Sequence, residues 1–268
     1  DMFALRLDGS GNLVYSTYLG GSGQDMAYDI AARGDTLFIA GMTEGAFPDA
    51  VPPVGDSDAI VVRLDVTAGP AVQYVTRIGG AGASAAMAIA IDDAEDVYII
   101  GTTSSSGLPL ISPYQATFGG NLDAFIAKLD ADGTLVYSSY LGGAGADWGI
   151  DVAVDPLGDL VYLAGHTGSP NFPAPDVARG SDAFIAKLDL ATNTLVYSRL
   201  IGGSNNEMGR AVAIDAGGSA YVVGETNSSD FPSLHPLAEM AGRGGGTDAF
   251  LARFDPAGNP IYSTRIGG

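Results

Sequence analysis

The chain has 268 residues, of which 46% are hydrophobic, a length that suffices for one large domain or two small ones. Its 31 acidic and 12 basic residues give a net charge of −19, a field that repels phosphate backbones and argues against nucleic acid as a partner. The absence of cysteine excludes disulfides and thiolate metal sites, and no apolar run approaches the ~20 residues that insertion across a membrane requires.

The chain is built from an internal repeat that begins with a segment of the form DAFIAKLD. Each copy is followed by a short turn and a Tyr-rich segment that ends in Gly-Gly, such as LVYSSYLGG at 135–143. The five copies occupy residues 1–8, 58–65, 123–130, 182–189 and 248–255. The repeat units therefore start at positions 1, 58, 123, 182 and 248.

Two more apolar segments separated by a tight turn follow each Gly-Gly, for example IDVAVD at 150–155 and LVYLAG at 160–165. Each unit thus has four short segments rich in β-branched and aromatic residues, with the length of strands. Four antiparallel strands repeated radially make a β-propeller, so the sequence predicts an all-β fold with four full repeats plus a half repeat in a single domain spanning 1–268. A solenoid is the alternative, but the two hairpin turns in each unit argue against it.

The repeat resembles a known family. Its pattern, YSTYLGGxGxDxAxxIAxD…GxTxSxxFP…GGxxDAFIAKLD, is similar to the SBBP β-propeller repeat of large bacterial and archaeal surface proteins. The resemblance covers nearly the whole chain. It implies a propeller fold and a secreted or cell-surface location, and it implies little about chemistry.

The loops between the second and third strand of each unit carry most of the length variation. From the Gly that closes one strand to the Asp that opens the next, they span 17, 22, 17 and 24 residues. Loops on a rigid scaffold usually carry recognition, which makes the face that bears them the predicted binding face. The predicted ligand-binding residues are Tyr114, Phe118, Trp148 and His235, with core packing as the alternative for the aromatic ones.

A calcium site is a second hypothesis. The segments GGSGQD at 20–25 and GGAGAD at 142–147 match the start of a calcium-binding nonapeptide repeat, although a flexible crossing between blades is the favoured interpretation, because the motif works as tandem repeats. The candidate metal ligands are Asp25, Asp29, Asp147 and Asp151. No other cofactor is predicted.

The first unit lacks half of its strands. Residues 1–21 supply the last two strands of a blade but not the first two, so an unpaired edge is expected there. We interpret the chain as a segment of a longer one. Continuation of the chain, imperfect closure of a five-bladed ring and strands from a neighbouring chain are all compatible with this arrangement.

These patterns predict a non-catalytic extracellular or cell-surface module for structure, adhesion or self-assembly. Its expected partners are other protein chains, through self-association or within a longer parent chain, and glycans. One alternative is a filament subunit completed by strands of neighbouring chains. The other is a propeller-type polysaccharide lyase or glycoside hydrolase, for which paired carboxylates near the axis would be needed. No catalytic residue is assigned, because neither a nucleophile elbow nor a metalloprotease motif occurs.

Overall fold

The computed structural model describes residues 1–48, 50–176, 178–236 and 246–267, and every regular element in these ranges is an antiparallel β-strand. Within them no helix is long and apolar enough to cross a bilayer. The predicted strand-rich repeat is confirmed. The longest predicted loop, between 224 and 248, lies partly outside the described residues.

The strands form four sheets of four strands and one sheet of two. The two-stranded sheet, called the hairpin, consists of β1 (Met2–Leu7) and β2 (Leu13–Leu19). Blade 1 consists of β3 (Asp25–Arg33), β4 (Thr36–Thr43), β5 (Asp58–Asp65) and β6 (Ala71–Ile78). Blade 2 consists of β7 (Ser84–Ile91), β8 (Val97–Thr103), β9 (Asp123–Leu129) and β10 (Leu135–Leu141). Blade 3 consists of β11 (Asp147–Val154), β12 (Leu160–Thr167), β13 (Asp182–Asp189) and β14 (Thr194–Ile201). Blade 4 consists of β15 (Glu207–Ile214), β16 (Ala220–Thr226), β17 (Asp248–Phe254) and β18 (Pro260–Ile266).

Within each blade the strands pair in chain order, from an inner strand to an outer one. The inner strands β3, β7, β11 and β15 pack side by side in that order. The predicted four blades and additional half repeat are therefore confirmed, and the sheets do not close into a ring.

The hydrophobic core lies between successive blades. In the third strand of each blade the aromatic or aliphatic residue of the DAFIAKLD motif is 0–1% exposed, as for Ile60, Phe125, Phe184 and Phe250. Phe125 packs with residues of blade 1, and Phe184 packs with residues of blade 2. Both faces of an internal blade are buried in this way, which explains why the motif is apolar at consecutive positions instead of alternating.

The first Gly of each Gly-Gly pair makes room for carboxyl groups. A Cβ added at Gly142 would lie 2.7 Å from Asp147 Oδ2 and 2.8 Å from Asp123 Cγ. The second Gly packs against the following loop: a Cβ at Gly143 would lie 2.6 Å from Asn171 Oδ1. The sequence pattern therefore follows from steric exclusion at the junction between blades.

We expect Gly142→Ala to lower the free energy of unfolding by about 1–3 kcal/mol, because the methyl group overpacks the two carboxyl groups. Urea unfolding measures the change. Gly9→Ala is the matched control, since a Cβ at Gly9 meets nothing within 4 Å, and its stability should remain within about 0.5 kcal/mol of the wild type. Equal losses in both variants would contradict this role of Gly142.

Candidate functional site

The loops between the second and third strands of blades 2 and 4 cross the outer strand of their own blade. In blade 2, Ile111 and Ser138 exchange backbone hydrogen bonds of 3.4 and 3.0 Å, and Ser138 Oγ donates to the carbonyl of Pro109. In blade 4, Leu234 and Ser263 exchange two bonds of 2.9 Å, and Ser263 Oγ donates to the carbonyl of Pro232. We call this arrangement the loop clamp.

A residue with a positive φ follows each loop clamp. Ser112 has φ 46° and His235 has φ 50°, and each comes directly before a proline. Such backbone is uncommon outside glycine. His235, predicted to bind a ligand, is exposed at this turn.

No loop clamp is present in the described part of blade 3. The loops of blades 2, 3 and 4 align without gaps from the Gly that precedes them, which places Pro175 in the position of Ile111 and Leu234. A proline has no N–H and cannot donate to the outer strand. Among the described residues Ser198, which corresponds to Ser138, has a buried Oγ without a hydrogen-bond partner.

The segment 173–176, called the strap, runs beside β14. Asp176 Oδ2 accepts a hydrogen bond of 3.1 Å from the backbone N–H of Leu200, and its carboxylate lies 3.6 Å from the Arg199 guanidinium. The strap is thus attached at Asp176, whereas Ser198, 4% exposed, has no bond to it.

Two grooves border β14. The first has a volume of about 580 Å³ and lies between the strap, Tyr114, Ser198 and the turn at Gly258. The second, of about 180 Å³, is lined by apolar side chains of blades 3 and 4 that include Leu200 and Phe254. Arg199 borders both grooves. The outer strand of blade 3 therefore has accessible space beside it, and residues of blade 4 line both grooves.

The four predicted ligand-binding residues lie in three different places. Tyr114 borders the larger groove, where its N–H donates to Tyr137 Oη at 3.3 Å and burial raises the pKa of its phenol. Phe118, from the same loop, packs on the ring of Tyr140 with centroids 5.7 Å apart. Trp148 lies on the inner strand of blade 3, and His235 lies in the loop of blade 4.

Trp148 stacks on His166. The ring centroids are 4.6 Å apart with an interplanar angle of 17°, because the two residues are directly opposite each other on β11 and β12. His166 is 7% exposed, and burial lowers its pKa to about 4. The imidazole is therefore neutral at physiological pH, which suits a packing role beside the indole.

The four candidate metal ligands accept hydrogen bonds from the protein. Asp29 Oδ2 accepts from the N–H of Ile89 at 2.9 Å, and Asp151 Oδ2 accepts from the N–H of Val212 at 2.7 Å. These two carboxylates link neighbouring inner strands.

Asp25 and Asp147 lie at the start of their inner strands, where each bonds a threonine of the second strand. Asp25 Oδ1 accepts from Thr43 Oγ1 at 2.6 Å, and Asp147 Oδ1 accepts from Thr167 Oγ1. Among the residues that the structure describes, no three His, Asp or Glu side chains are grouped as a metal site would require.

Carboxyl groups meet in pairs at the junctions between blades. Asp123 is fully buried beside Asp147, and burial followed by the nearby charge of Asp147 raises the pKa of Asp123 to about 6. Burial likewise raises the pKa of Asp182, next to Glu207, to about 6. Since these pairs are enclosed between blades, a bound glycan would have no access to them.

One junction uses a guanidinium instead of a second acid. Arg77 donates to Asp58 Oδ2 at 2.8 Å, and their side chains are 2% and 1% exposed. Ser84 occupies the position that Asp147 holds in blade 3. A junction between blades therefore contains either two neighbouring carboxyl groups, as at Asp123 and Asp147, or a buried ion pair, as at Asp58 and Arg77.

Among the residues that the structure describes, the arrangement of blades has two open faces. On the hairpin, Phe3, Leu5 and Leu7 are 63%, 46% and 52% exposed, whereas their counterparts in the other repeats are buried. On blade 4, Val223 is 42% exposed and Ala249 is exposed, although the corresponding Ala40 and Ala59 of blade 1 are 0% exposed. These faces correspond to the two sides that join at every internal blade junction.

Sequence reasoning did not identify Pro175 and Ser198. The available signal was the gap-free alignment of the three loops, which places a proline where the other two have residues with an N–H. Its meaning depends on a contact between the loop and the outer strand, which the sequence alone did not reveal.

Solved structures share the fold at low sequence identity. The WD40 domain of Neurospora crassa Pan2 matches 98% of this chain and 58% of its own chain with a TM-score of 0.51 and 12% identity. The quinohemoprotein alcohol dehydrogenase ADHIIG from Pseudomonas putida HK5 matches 99% of this chain and 51% of its own, with a TM-score of 0.53 and 12% identity. This chain therefore spans little more than half of either structure, and likeness at this level establishes the fold without a function.

A search of the curated proteins found no match. A family model, described as a β-propeller repeat and named SBBP, matches residues 73–109, 136–173 and 196–232. Each match starts in the outer strand of one blade and ends at the proline that opens the next clamp or strap. The predicted resemblance is confirmed: the chain contains three matched SBBP β-propeller repeats.

Proposed function

We propose that the chain is a non-catalytic propeller module of an extracellular or cell-surface protein, and that it acts in structure, adhesion or self-assembly. The observation that carries the proposal is the pair of open faces. The hairpin presents Phe3, Leu5 and Leu7, and blade 4 presents Val223 and Ala249.

In this proposal a second copy of the chain covers these faces. At each internal junction the same columns pack together, as Phe125 of blade 2 packs with Ala59 and Val61 of blade 1. Blade 4 of one copy can therefore cover the hairpin of the next copy. Such head-to-tail contact is heterologous and produces rings or filaments.

The hairpin also has a free edge that supports assembly. In the blades, the strand equivalent to β1 is paired on both sides, whereas β1 pairs with β2 alone among the described strands. Unpaired strand edges accept strands of other chains. A filament subunit completed in this way is the more specific form of the proposal.

The buried carboxyl pairs support a non-catalytic role. A glycoside hydrolase needs two carboxyl groups on either side of an accessible bond, whereas Asp123 and Asp147 are each 0% exposed. The exposed loops of the predicted binding face, which join the second and third strands of each blade, would then bind other proteins or surface glycans.

We expect light scattering to show concentration-dependent association of the wild type, with rings or fibres in electron micrographs. Leu5→Lys should abolish the assemblies, because a charge on the hairpin face opposes burial. The matched control is Leu157→Lys, since Leu157 is 81% exposed in a turn away from both faces. A monomer at all concentrations, or assembly unaffected by Leu5→Lys, would refute self-assembly through this face.

A further inference from the structure

We propose that the outer strand of blade 3 is a docking edge for an extended segment of a partner polypeptide, which pairs with Ser198 as the loop clamps pair with their own strands. The proposal rests on the proposed binding role of the module and names the partner class for one site. It is independent of the hairpin face.

The edge of β14 lacks, among the described residues, the bonds that a loop clamp makes in blades 2 and 4. Ser138 and Ser263 each use their N–H, carbonyl and Oγ to bond a crossing segment. Ser198 occupies the same column, is 4% exposed, and has an Oγ without a partner among the described residues. Buried polar groups are nearly always bonded, so the unpartnered Oγ marks a position at which a partner segment that displaces the strap would gain hydrogen bonds.

The strap cannot supply these bonds itself, because a proline has no N–H. Pro175 stands where Ile111 and Leu234 supply an N–H to the outer strand. The strap is held at its far end, by the bond from Leu200 to Asp176 and the 3.6 Å ion pair with Arg199. A segment with an N–H in the place of Pro175 would make bonds to Ser198 that the strap cannot make.

The side chains of an added strand have space beside β14. Successive side chains of an added strand point to opposite faces of the sheet, and two grooves border β14. One groove, of about 580 Å³, includes Tyr114, and the other, of about 180 Å³, includes Leu200 and Phe254. The smaller groove suits an aliphatic side chain. The loop clamps of blades 2 and 4 likewise place an aliphatic residue, Ile111 or Leu234, beside the outer strand.

The occupant is therefore an extended peptide with an aliphatic residue at its centre and a free N–H at that residue. Its binding mode is strand addition, in which backbone bonds give affinity and alternate side chains give selectivity. The chain contains an internal example of this ligand, the clamp of blade 2 with the sequence PLISPYQ at 109–115.

The test uses a fluorescent peptide of the sequence PLISPYQ and measures anisotropy with the whole chain. We expect saturable binding by the wild type and at least tenfold weaker binding by Ser198→Val. Valine is chosen because blade 1 has Val75 at the corresponding position. A second peptide with proline at the isoleucine position, PLPSPYQ, should not bind. Equal binding of the two peptides, or no binding of the first one, would overturn the proposal.

A second variant tests the role of the proline. Pro175→Ile supplies the missing N–H in the chain itself, so the strap should close on Ser198, raise the melting temperature and abolish peptide binding. The proposal would be overturned if this variant had a raised melting temperature and still bound the peptide. It would also be overturned if the melting temperature and the peptide binding were both unchanged. Leu5→Lys should retain full peptide binding, which separates a failure at this edge from a failure of self-assembly.

Discussion

Replacing Arg77 with Met is expected to lower the free energy of unfolding by about 3–5 kcal/mol. The guanidinium bonds Asp58 at 2.8 Å, Thr43 Oγ1 at 3.3 Å and the carbonyl of Gly45. The side chains of Arg77 and Asp58 are 2% and 1% exposed, so the variant leaves a carboxylate in the blade junction without a countercharge. Loss of one partner of a buried ion pair costs more than the pair itself contributes.

The loss should be partly reversed by a second substitution. Asp58→Asn in the Arg77→Met background removes the stranded charge, and the amide oxygen can still accept the bond that Val54 N–H makes to Asp58 at 3.1 Å. Urea unfolding of the two single variants and the double variant gives the coupling energy. We expect the double variant to be more stable than Arg77→Met alone.

An exposed ion pair serves as the control for this prediction. Arg6 and Asp35 are 2.9 Å apart with side chains 48% and 50% exposed. Arg6→Met should therefore cost about 1 kcal/mol or less. If Arg6→Met and Arg77→Met were equally destabilising, the loss could not be attributed to burial of the charge.

The repeat was readable from the sequence because each blade must satisfy the same packing on both faces. Phe125, Phe184 and Phe250 recur in one column because each is buried against the preceding blade. The turns and Gly-Gly crossings recur for steric reasons, as at Gly142. Periodic constraints of this kind leave a periodic trace, which explains why blade number, strand order and the incomplete first unit could all be predicted.

The site was less predictable because it depends on a departure from the period. Tyr114 and Phe118 looked equivalent as loop aromatics, but the former borders a groove and the latter packs on Tyr140. The alternation of long and short loops was visible, whereas its consequence for Ser198 required knowing which strand each loop crosses. Contacts between residues far apart in the sequence decide both outcomes.

The acidic columns illustrate the same limit at the level of chemistry. Asp29 and Asp151 suggested metal ligands by residue type, and the structure shows them accepting bonds from Ile89 and Val212 of the neighbouring blade. Residue type indicated an oxygen-rich position. It did not distinguish a cation from a backbone N–H as the group that the carboxylate binds.

The buried carboxyl pairs make the stability of the chain depend on pH between about 4 and 7. Burial raises the pKa of Asp123 and of Asp182 from 3.8 to about 6. A carboxyl group whose pKa is raised by folding stabilises the native state while it is protonated. That contribution is fully present below pH 3.8 and is lost as pH rises through about 6.

The free energy of unfolding should therefore be lower at about pH 7.5 than at about pH 4.5. A shift of this size corresponds to at most about 3 kcal/mol for each carboxyl group. Asp147 faces Asp123, while Glu207 and Arg179 face Asp182, and the positive charge of Arg179 opposes part of the effect at the second site. Urea unfolding at a series of pH values measures the profile.

The double variant Asp123→Asn and Asp182→Asn should flatten that profile and should be more stable than the wild type at about pH 7.5. The amide introduced by Asp123→Asn keeps the shape of the side chain and can accept the bond that Gly119 N–H makes to Asp123 at 2.8 Å.

Asp8→Asn is the control for the double variant, because hydrogen bonds led by that of the Asn12 side chain lower the pKa of this exposed carboxyl. The contribution of Asp8 to the stability of the native state is present above the pKa of the unfolded state and is lost on acidification below that value. This loss falls below the range of about pH 4.5 to 7.5 in which the profiles are compared. The profile of Asp8→Asn should therefore keep the slope of the wild type between about pH 4.5 and 7.5. A profile of the double variant parallel to that of the wild type would show that other groups cause the pH dependence.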